Sequence, residues 1–240
     1  MTEELWEVNA SWWQEGFTKG ADPEYEEQIL PLLEGLLEGF PRVLDIGCGE
    51  GQTTRAASVG SQLSVGVDAS WAQVSVAGER ALSEKYVRGS ASDLPFRASS
   101  FDAVLACLVF EHVTDMSVAV AEVSRILVPG GRFVLMLNHP LLQTPGSGWV
   151  EDHMSDPMDQ YWRVGDYLTV QETVEEVELG VHIPFVHRPL SSYVNELSEN
   201  ELSVTRMLEP APPPGFLTQS PAYSSAAHIP RLLVLVCEKR

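Results

Sequence analysis

Between Val43 and Gln52 the chain reads VLDIGCGEGQ, an apolar stretch running into Gly47-Cys48-Gly49-Glu50-Gly51. Glycines at this spacing turn a strand sharply into a helix and let backbone come close to a bound molecule. A dinucleotide-binding loop needs GxGxxG, and Gln52 stands in its third place. Asp45 and Glu50 flank the glycines, and two carboxylates would oppose a pyrophosphate. The chemistry that suits the loop is a ligand without phosphates that carries an ammonium group. A tight turn with no ligand is the alternative.

Further polar residues fall where strands should end. Asp68 closes LSVGVD, where a carboxylate can accept from both hydroxyls of a ribose; capping the next helix competes with that role, although Ser70 is the better cap. Asp93 in GSASDLPF either meets a ligand or caps the turn before Leu94-Pro95. Glu111-His112 reads as a helix-cap pair, with His112 structural or ligand-lining rather than catalytic. His139 follows the strand RFVLML, and His153, Tyr161 and His187 lie farther on.

The elements that must position these groups alternate. Strands are predicted at Val43–Ile46, Leu63–Asp68, Tyr86–Gly89, Phe101–Leu108 and Arg132–Leu137, with helices at 50–59, 71–83 and 116–127 between them. That order means βαβ units and a parallel sheet. Upstream, residues 5–17 suit one amphipathic helix and Asp22-Pro23 opens a second, kinked at Pro31. After Pro140 the regularity lapses into Pro, Gly, Asp and aromatic residues. Val170–Val186 alternates like one or two antiparallel strands, Leu190–Leu197 reads as helix, and Leu202–Leu208 and Leu232–Cys237 as strands.

The chain has 240 residues, and 44% hydrophobic with 20% charged is an ordinary globular mix. A net charge of −19, with Lys and Arg scattered, argues against a nucleic-acid partner. The cysteines, Cys48, Cys107 and Cys237, show no metal-ligand spacing, so no metal is expected. They read as buried reduced thiols and, with MTEELWEVNA lacking a secretory pattern, point to a cytoplasmic setting. The longest apolar run, Ala103–Phe110, is far short of the ~20 residues of a membrane span.

S-adenosylmethionine, with an adenosine, a sulfonium and an amino-acid tail, is a ligand of the kind the glycine loop suits. VLDIGCGEG also resembles the first motif of class I S-adenosylmethionine-dependent methyltransferases, and VGVDAS, GSASDLPF, FDAVLACLVFEHV and LVPGGRFVL resemble the motifs that follow it, in order, over about residues 42–137. The likeness is greatest to the small-molecule, type 11-like branch, which includes quinone-ring methylases. The resemblance implies a Rossmann-like, doubly wound α/β fold. Its seven-stranded sheet would be mostly parallel with one antiparallel strand, and a lid insertion would follow the fifth strand. It implies cofactor contacts from Asp45, Gly47, Cys48 and Gly49 at the loop, with Asp45 near the ammonium. Asp68 would serve the ribose, with Ala69 beside it also a cofactor contact, Ser92, Asp93 and Leu94 would serve the adenine, and Leu108 would line the site.

One domain over 1–240 is expected, with N-terminal helices at 1–40, a cofactor-binding core at 41–138, a lid and acceptor-binding insertion at 139–189, and a C-terminal helix with the last two strands at 190–240. Methyl transfer to a small apolar or aromatic acceptor by in-line displacement is the leading function. A non-catalytic cofactor-binding regulator and an NAD-dependent oxidoreductase are the alternatives. His139 and His187 are the expected pocket residues and candidate bases. Trp12, Trp13 and Phe17 either close the cofactor side or form ordinary core, and Lys19 is a candidate partner for the cofactor carboxylate. The turn Ser198-Glu199-Asn200-Glu201 departs from the glycine-bearing turn of similar proteins.

Overall fold

Strand β1 (Arg42–Ile46) lies between β2 (Leu63–Asp68) and β4 (Phe101–Cys107), parallel to both. These strands belong to a computed structural model that describes residues 2–154, 156, 158–219 and 227–240. β3 (Lys85–Arg88) extends the sheet beyond β2, and β5 (Leu127–Asn138) beyond β4. β11 (Leu232–Lys239) then runs antiparallel to β5, and β10 (Leu202–Leu208) antiparallel to β11. The order is β10-β11-β5-β4-β1-β2-β3: seven strands, mostly parallel, with β11 reversed. Connections leave β1 in both directions, which opens a crevice at the carboxyl ends of the central strands.

The period of two along each strand divides the core. Leu44 and Ile46 face a cluster with Val104, Ala106, Phe133 and Leu135, covered by α6 (Met116–Ile126) and α8 (Leu190–Glu199). Val43 faces the other way, with Ala103, Leu105, Val134 and Met136, under α3 (Leu30–Leu37) and α4 (Gln52–Ala57). Asp45 shares the face of Val43 and is therefore carried under α4. α5 (Trp71–Glu79) starts at Ser70, whose hydroxyl accepts from the Gln73 amide.

Several expectations change in detail. The N-terminal helix is two, α1 (Thr2–Val8) and α2 (Ala10–Gly16), broken at Asn9. Instead of a kink at Pro31, a π-helical turn over Tyr25–Ile29 precedes α3, and the Leu30 amide bonds the Tyr25 carbonyl. The wide turn absorbs the misfit that a proline without an N–H creates. β5 begins at Leu127, before the Val128-Pro129-Gly130-Gly131 turn rather than after it. The insertion holds a short helix, α7 (Pro140–Gln143), and two hairpins: β6 (Gly148–Asp152) with β7 (Asp159–Arg163), and β8 (Gln171–Glu178) with β9 (Val181–His187). At the turn after α8, Glu201 takes the left-handed conformation, φ +63°, that a glycine fills more readily.

Candidate functional site

Gly47, Gly49 and Gly51 all have positive φ, so the loop after β1 needs glycine on backbone grounds alone. Their surroundings differ. A Cβ at Gly47 would overlap the Val109 methyls, and one at Gly51 would overlap the Tyr86 ring. Gly49 has space, with Trp13 Nε1 the nearest atom at 3.6 Å from a Cβ placed there. Two glycines are thus demanded by packing, and Gly49 is the one that faces open room.

That room is a cavity of about 430 Å³ at the carboxyl ends of β1, β2 and β4. The glycine loop lines one side, Asp68 and Ala69 the end of β2, and Ser90, Ala91 and Ser92 the segment after β3. Leu108, Val109, His112 and Asp115 come from the segment after β4. Trp6, Trp13, Phe17, Thr18 and Tyr25 from the N-terminal segment complete the wall. Trp13 stacks on Phe17 at 4.4 Å and meets Trp6 edge-on at 5.7 Å. Among the described residues the lining includes carboxylates but neither lysine nor arginine.

Asp68 joins two parts of this wall. Its Oδ2 accepts from the Gly49 amide at 2.9 Å and its Oδ1 from the Ser70 amide at 2.8 Å. Burial raises its pKa, and those amides pull against the rise. Glu50 lines the cavity too, but Arg55 and Arg80 both grip its carboxylate. Its charge is spent within the protein, so it gives less weight against a phosphate ligand than its place in the sequence suggests.

Residues 44–135 match the family model described as "Methyltransferase domain". The chain is 40% identical to the uncharacterized methyltransferase YcgJ of Bacillus subtilis over 50% of this chain and 53% of that protein. It is 40% identical to the demethylmenaquinone methyltransferase of Staphylococcus aureus, over 42% and 44% respectively. A solved structure, an S-adenosylmethionine dependent methyltransferase from Mesorhizobium loti, superposes with a TM-score of 0.74 at 24% identity, covering 87% of this chain and 96% of that one. Over residues 44–135 the chain is thus similar to methyltransferase domains, and it shares the fold of the Mesorhizobium loti methyltransferase. It spans about half the length of the curated relatives it matches.

Within this methyltransferase fold, Gly47, Cys48, Gly49, Asp68, Ala69, Ser92 and Leu108 line the cavity together. Leu108 does so with φ +55°, a conformation that non-glycine residues rarely adopt and that functional sites tend to hold. Asp45, Asp93 and Leu94 are not among the lining residues. Asp45 Oδ2 accepts the Thr53 and Thr54 hydroxyls, both at 2.7 Å, and burial pushes its pKa up to about 7. It fastens β1 to α4 behind the loop. The Asp93 amide bonds the Ser90 carbonyl, and the Leu94 amide is taken by Glu122.

His139 and His187 also stand outside the lining residues. His139 caps α7, accepting the Leu141 amide on Nδ1 and donating from Nε2 to Glu209 at 2.8 Å. His187 donates from Nε2 to the Tyr167 carbonyl at 2.8 Å. Lys19 is absent from the lining too, and Trp12 turns outward to donate to Glu178.

The histidine that does face the cavity is His112. Its Nδ1 lies 2.7 Å from the Pro184 carbonyl. A carbonyl can only accept, so Nδ1 carries the hydrogen and Nε2 the lone pair. Burial lowers its pKa to about 4, so the ring is neutral at pH 7. Trp6 and Phe185 pack against it at 4.8 and 4.6 Å. The insertion thus supports the cavity wall from behind, through Pro184 and Phe185, while none of the described residues of 139–189 lines the cavity itself. The sequence signal for His112 was present in FEHV, next to the fourth strand; its orientation depends on β9, which is distant along the chain.

Glu111 beside it points away from the cavity. Its Oε1 accepts both the backbone and side-chain amides of Asn138, at 3.1 Å each, and burial pushes its pKa up to about 7. It ties the turn after β4 to the end of β5.

Proposed function

We propose that the protein transfers a methyl group from S-adenosylmethionine to a small, uncharged acceptor with an aromatic or apolar body. The observation that carries the reading is the pairing of Asp68 with the Gly49 amide in the wall of a cavity with no lysine or arginine among its described lining residues. Such a wall suits a nucleoside joined to an ammonium-bearing tail and does not suit a pyrophosphate. A Gly49 with room above it gives the ligand close access to backbone.

In this reading Asp68 accepts from the ribose hydroxyls, and Ser90, Ala91 and Ser92 bound the base. Gly47, Cys48 and Gly49 hold the aminoacyl tail. The bound cofactor supplies a methyl on a positive sulfur that leaves readily. The protein's part is then to exclude water and hold the acceptor in line, tasks that suit the rings of Trp6, Trp13, Phe17 and Tyr25. Where the acceptor attacks through an O–H or N–H, that proton becomes strongly acidic as the new bond forms. His112 Nε2, neutral and carrying a lone pair, is the group placed to take it, and a base of depressed pKa suffices for so acidic a proton.

The acceptor class rests on the same wall. Four aromatic side chains, with no lysine or arginine among the described lining residues, favour flat, uncharged molecules over phosphorylated or carboxylated ones. The Staphylococcus aureus relative is by its name a methyltransferase of demethylmenaquinone, an acceptor of that kind. The test is to incubate the protein with methyl-labelled S-adenosylmethionine and a metabolite extract, and to look for label in a small molecule. Label in an uncharged aromatic product is expected. Binding of the cofactor without any labelled product would favour a regulatory, non-catalytic role.

A further inference from the structure

Glu7 lies on α1, far along the chain from the glycine loop, yet its carboxylate reaches the end of β2. It accepts the Ser70 hydroxyl at 2.7 Å and the Ala72 amide at 3.3 Å. Ser70 gives its own amide to Asp68 Oδ1, and Asp68 Oδ2 takes the Gly49 amide. One unbroken run of hydrogen bonds therefore joins α1 to the glycine loop, passing through the carboxylate assigned to the ribose. The Ser70 hydroxyl holds the Glu7 pKa below the usual carboxylate range, so the group stays ionised at neutral pH.

The segment that carries Glu7 is also the one that closes the cavity. α1 supplies Trp6 and α2 supplies Trp13, whose indole stands over Gly49. Besides the packing of Trp6 and Trp13, polar and partly exposed bonds fasten this strap. Asn9 Nδ2 donates to the His182 carbonyl at 2.9 Å, and Gln14 Nε2 donates to Gln73 Oε1 at 2.9 Å. Elements held by such bonds open locally at low cost, as an entrance must.

We propose that Glu7 is a positioning residue for the cofactor: by holding Ser70 it fixes Asp68, and it thereby couples closure of the N-terminal helix pair to occupation of the nucleoside end of the cavity. The proposal rests on the S-adenosylmethionine reading above. It separates Glu7 from an ordinary helix cap, because a cap that only stabilises α5 would act equally whether or not Asp68 were present.

The experiment is a double-mutant cycle read by calorimetry with S-adenosylhomocysteine on the full chain. Glu7→Ala should weaken binding about tenfold, a coupling in the range found for residues of one hydrogen-bond network. Glu7→Gln, which keeps an acceptor for Ser70, should recover most of that loss. In an Asp68→Asn background the same Glu7→Ala change should cost less than about twofold. Unchanged affinity in Glu7→Ala, or an equal loss in both backgrounds, overturns the proposal. Hydrogen exchange on the unaltered protein gives an independent check: the amides of residues 4–18 should slow on adding S-adenosylhomocysteine, and unchanged exchange would refute the coupling. Wild-type protein that does not bind the compound at all instead overturns the function reading itself.

Discussion

The Asp68 carboxylate accepts from the Gly49 amide at 2.9 Å, which adds a side-chain tie between the end of β2 and the loop after β1 to the bonds that the Val67 carbonyl takes from the Gly47 and Cys48 amides. The same side chain lines the cavity. A loop amide and a ligand hydroxyl can both be served because a carboxylate has about four acceptor sites. Asp68→Ala should therefore weaken S-adenosylhomocysteine by about 1.5–3 kcal/mol, the worth of a hydrogen bond to a charged group. Calorimetry checks it, and unchanged affinity would remove Asp68 from the site.

Gly47 and Gly49 are two residues apart and should respond differently to substitution. Gly47→Ala drives a Cβ into Val109 at a left-handed backbone position, so it should lower the melting temperature markedly. Gly49→Ala meets no such obstruction in the protein but remains strained at φ +53°. It should cost about 1–2 kcal/mol of stability and weaken S-adenosylhomocysteine beyond that. Thermal melts with and without the compound separate the two effects.

His112→Asn keeps a donor for the Pro184 carbonyl and removes the imidazole lone pair. For an acceptor that loses a proton, turnover should fall by about a hundredfold or more. His139→Asn and His187→Asn should leave turnover within a few-fold, since those rings are engaged with Glu209 and Tyr167. Equal turnover in His112→Asn and wild type would end the base assignment.

Asp45 and Glu111 predict an unusual pH response. Both are buried, and both are pushed up to a pKa of about 7 by desolvation. A folded-state pKa above the unfolded value means that the folded protein binds the proton more tightly. The stabilisation is therefore full below the unfolded pKa near 4 and is lost as pH rises through about 7. The loss is on the order of a few kcal/mol. Asp45→Asn together with Glu111→Gln should flatten the fall in melting temperature between pH 5 and pH 8 by about half or more. An unaltered slope would contradict these assignments.

The core strands were legible because each is an apolar run bounded by a turn, and the motifs on their carboxyl ends are local in sequence. Gly49 and Asp68 could be read from that pattern, whereas Ser92 came only with the family resemblance. Asp45 did not, although the needed rule is simple: it alternates with Leu44 and Ile46 and so shares the face of Val43, under α4. Glu50 was misread as free charge because one of its partners, Arg80, comes from the far end of α5. The strand-end position of His139 was read correctly, but Glu209, which holds it, arrives from the C-terminal part of the chain. The N-terminal wall and the tautomer of His112 depend on contacts between distant segments, which periodicity does not encode. The insertion was expected to cover the cavity; its β8–β9 hairpin meets His112 through Pro184 and Phe185, while α1 and α2 supply Trp6 and Trp13 to the cavity wall.

Which cofactor the cavity accepts is measured directly by calorimetry of the purified chain with S-adenosylhomocysteine and with NAD. Saturable binding of S-adenosylhomocysteine, at least tenfold weakened in Asp68→Ala, with no comparable heat from NAD, is the predicted result. Tight NAD binding with none of S-adenosylhomocysteine would contradict it.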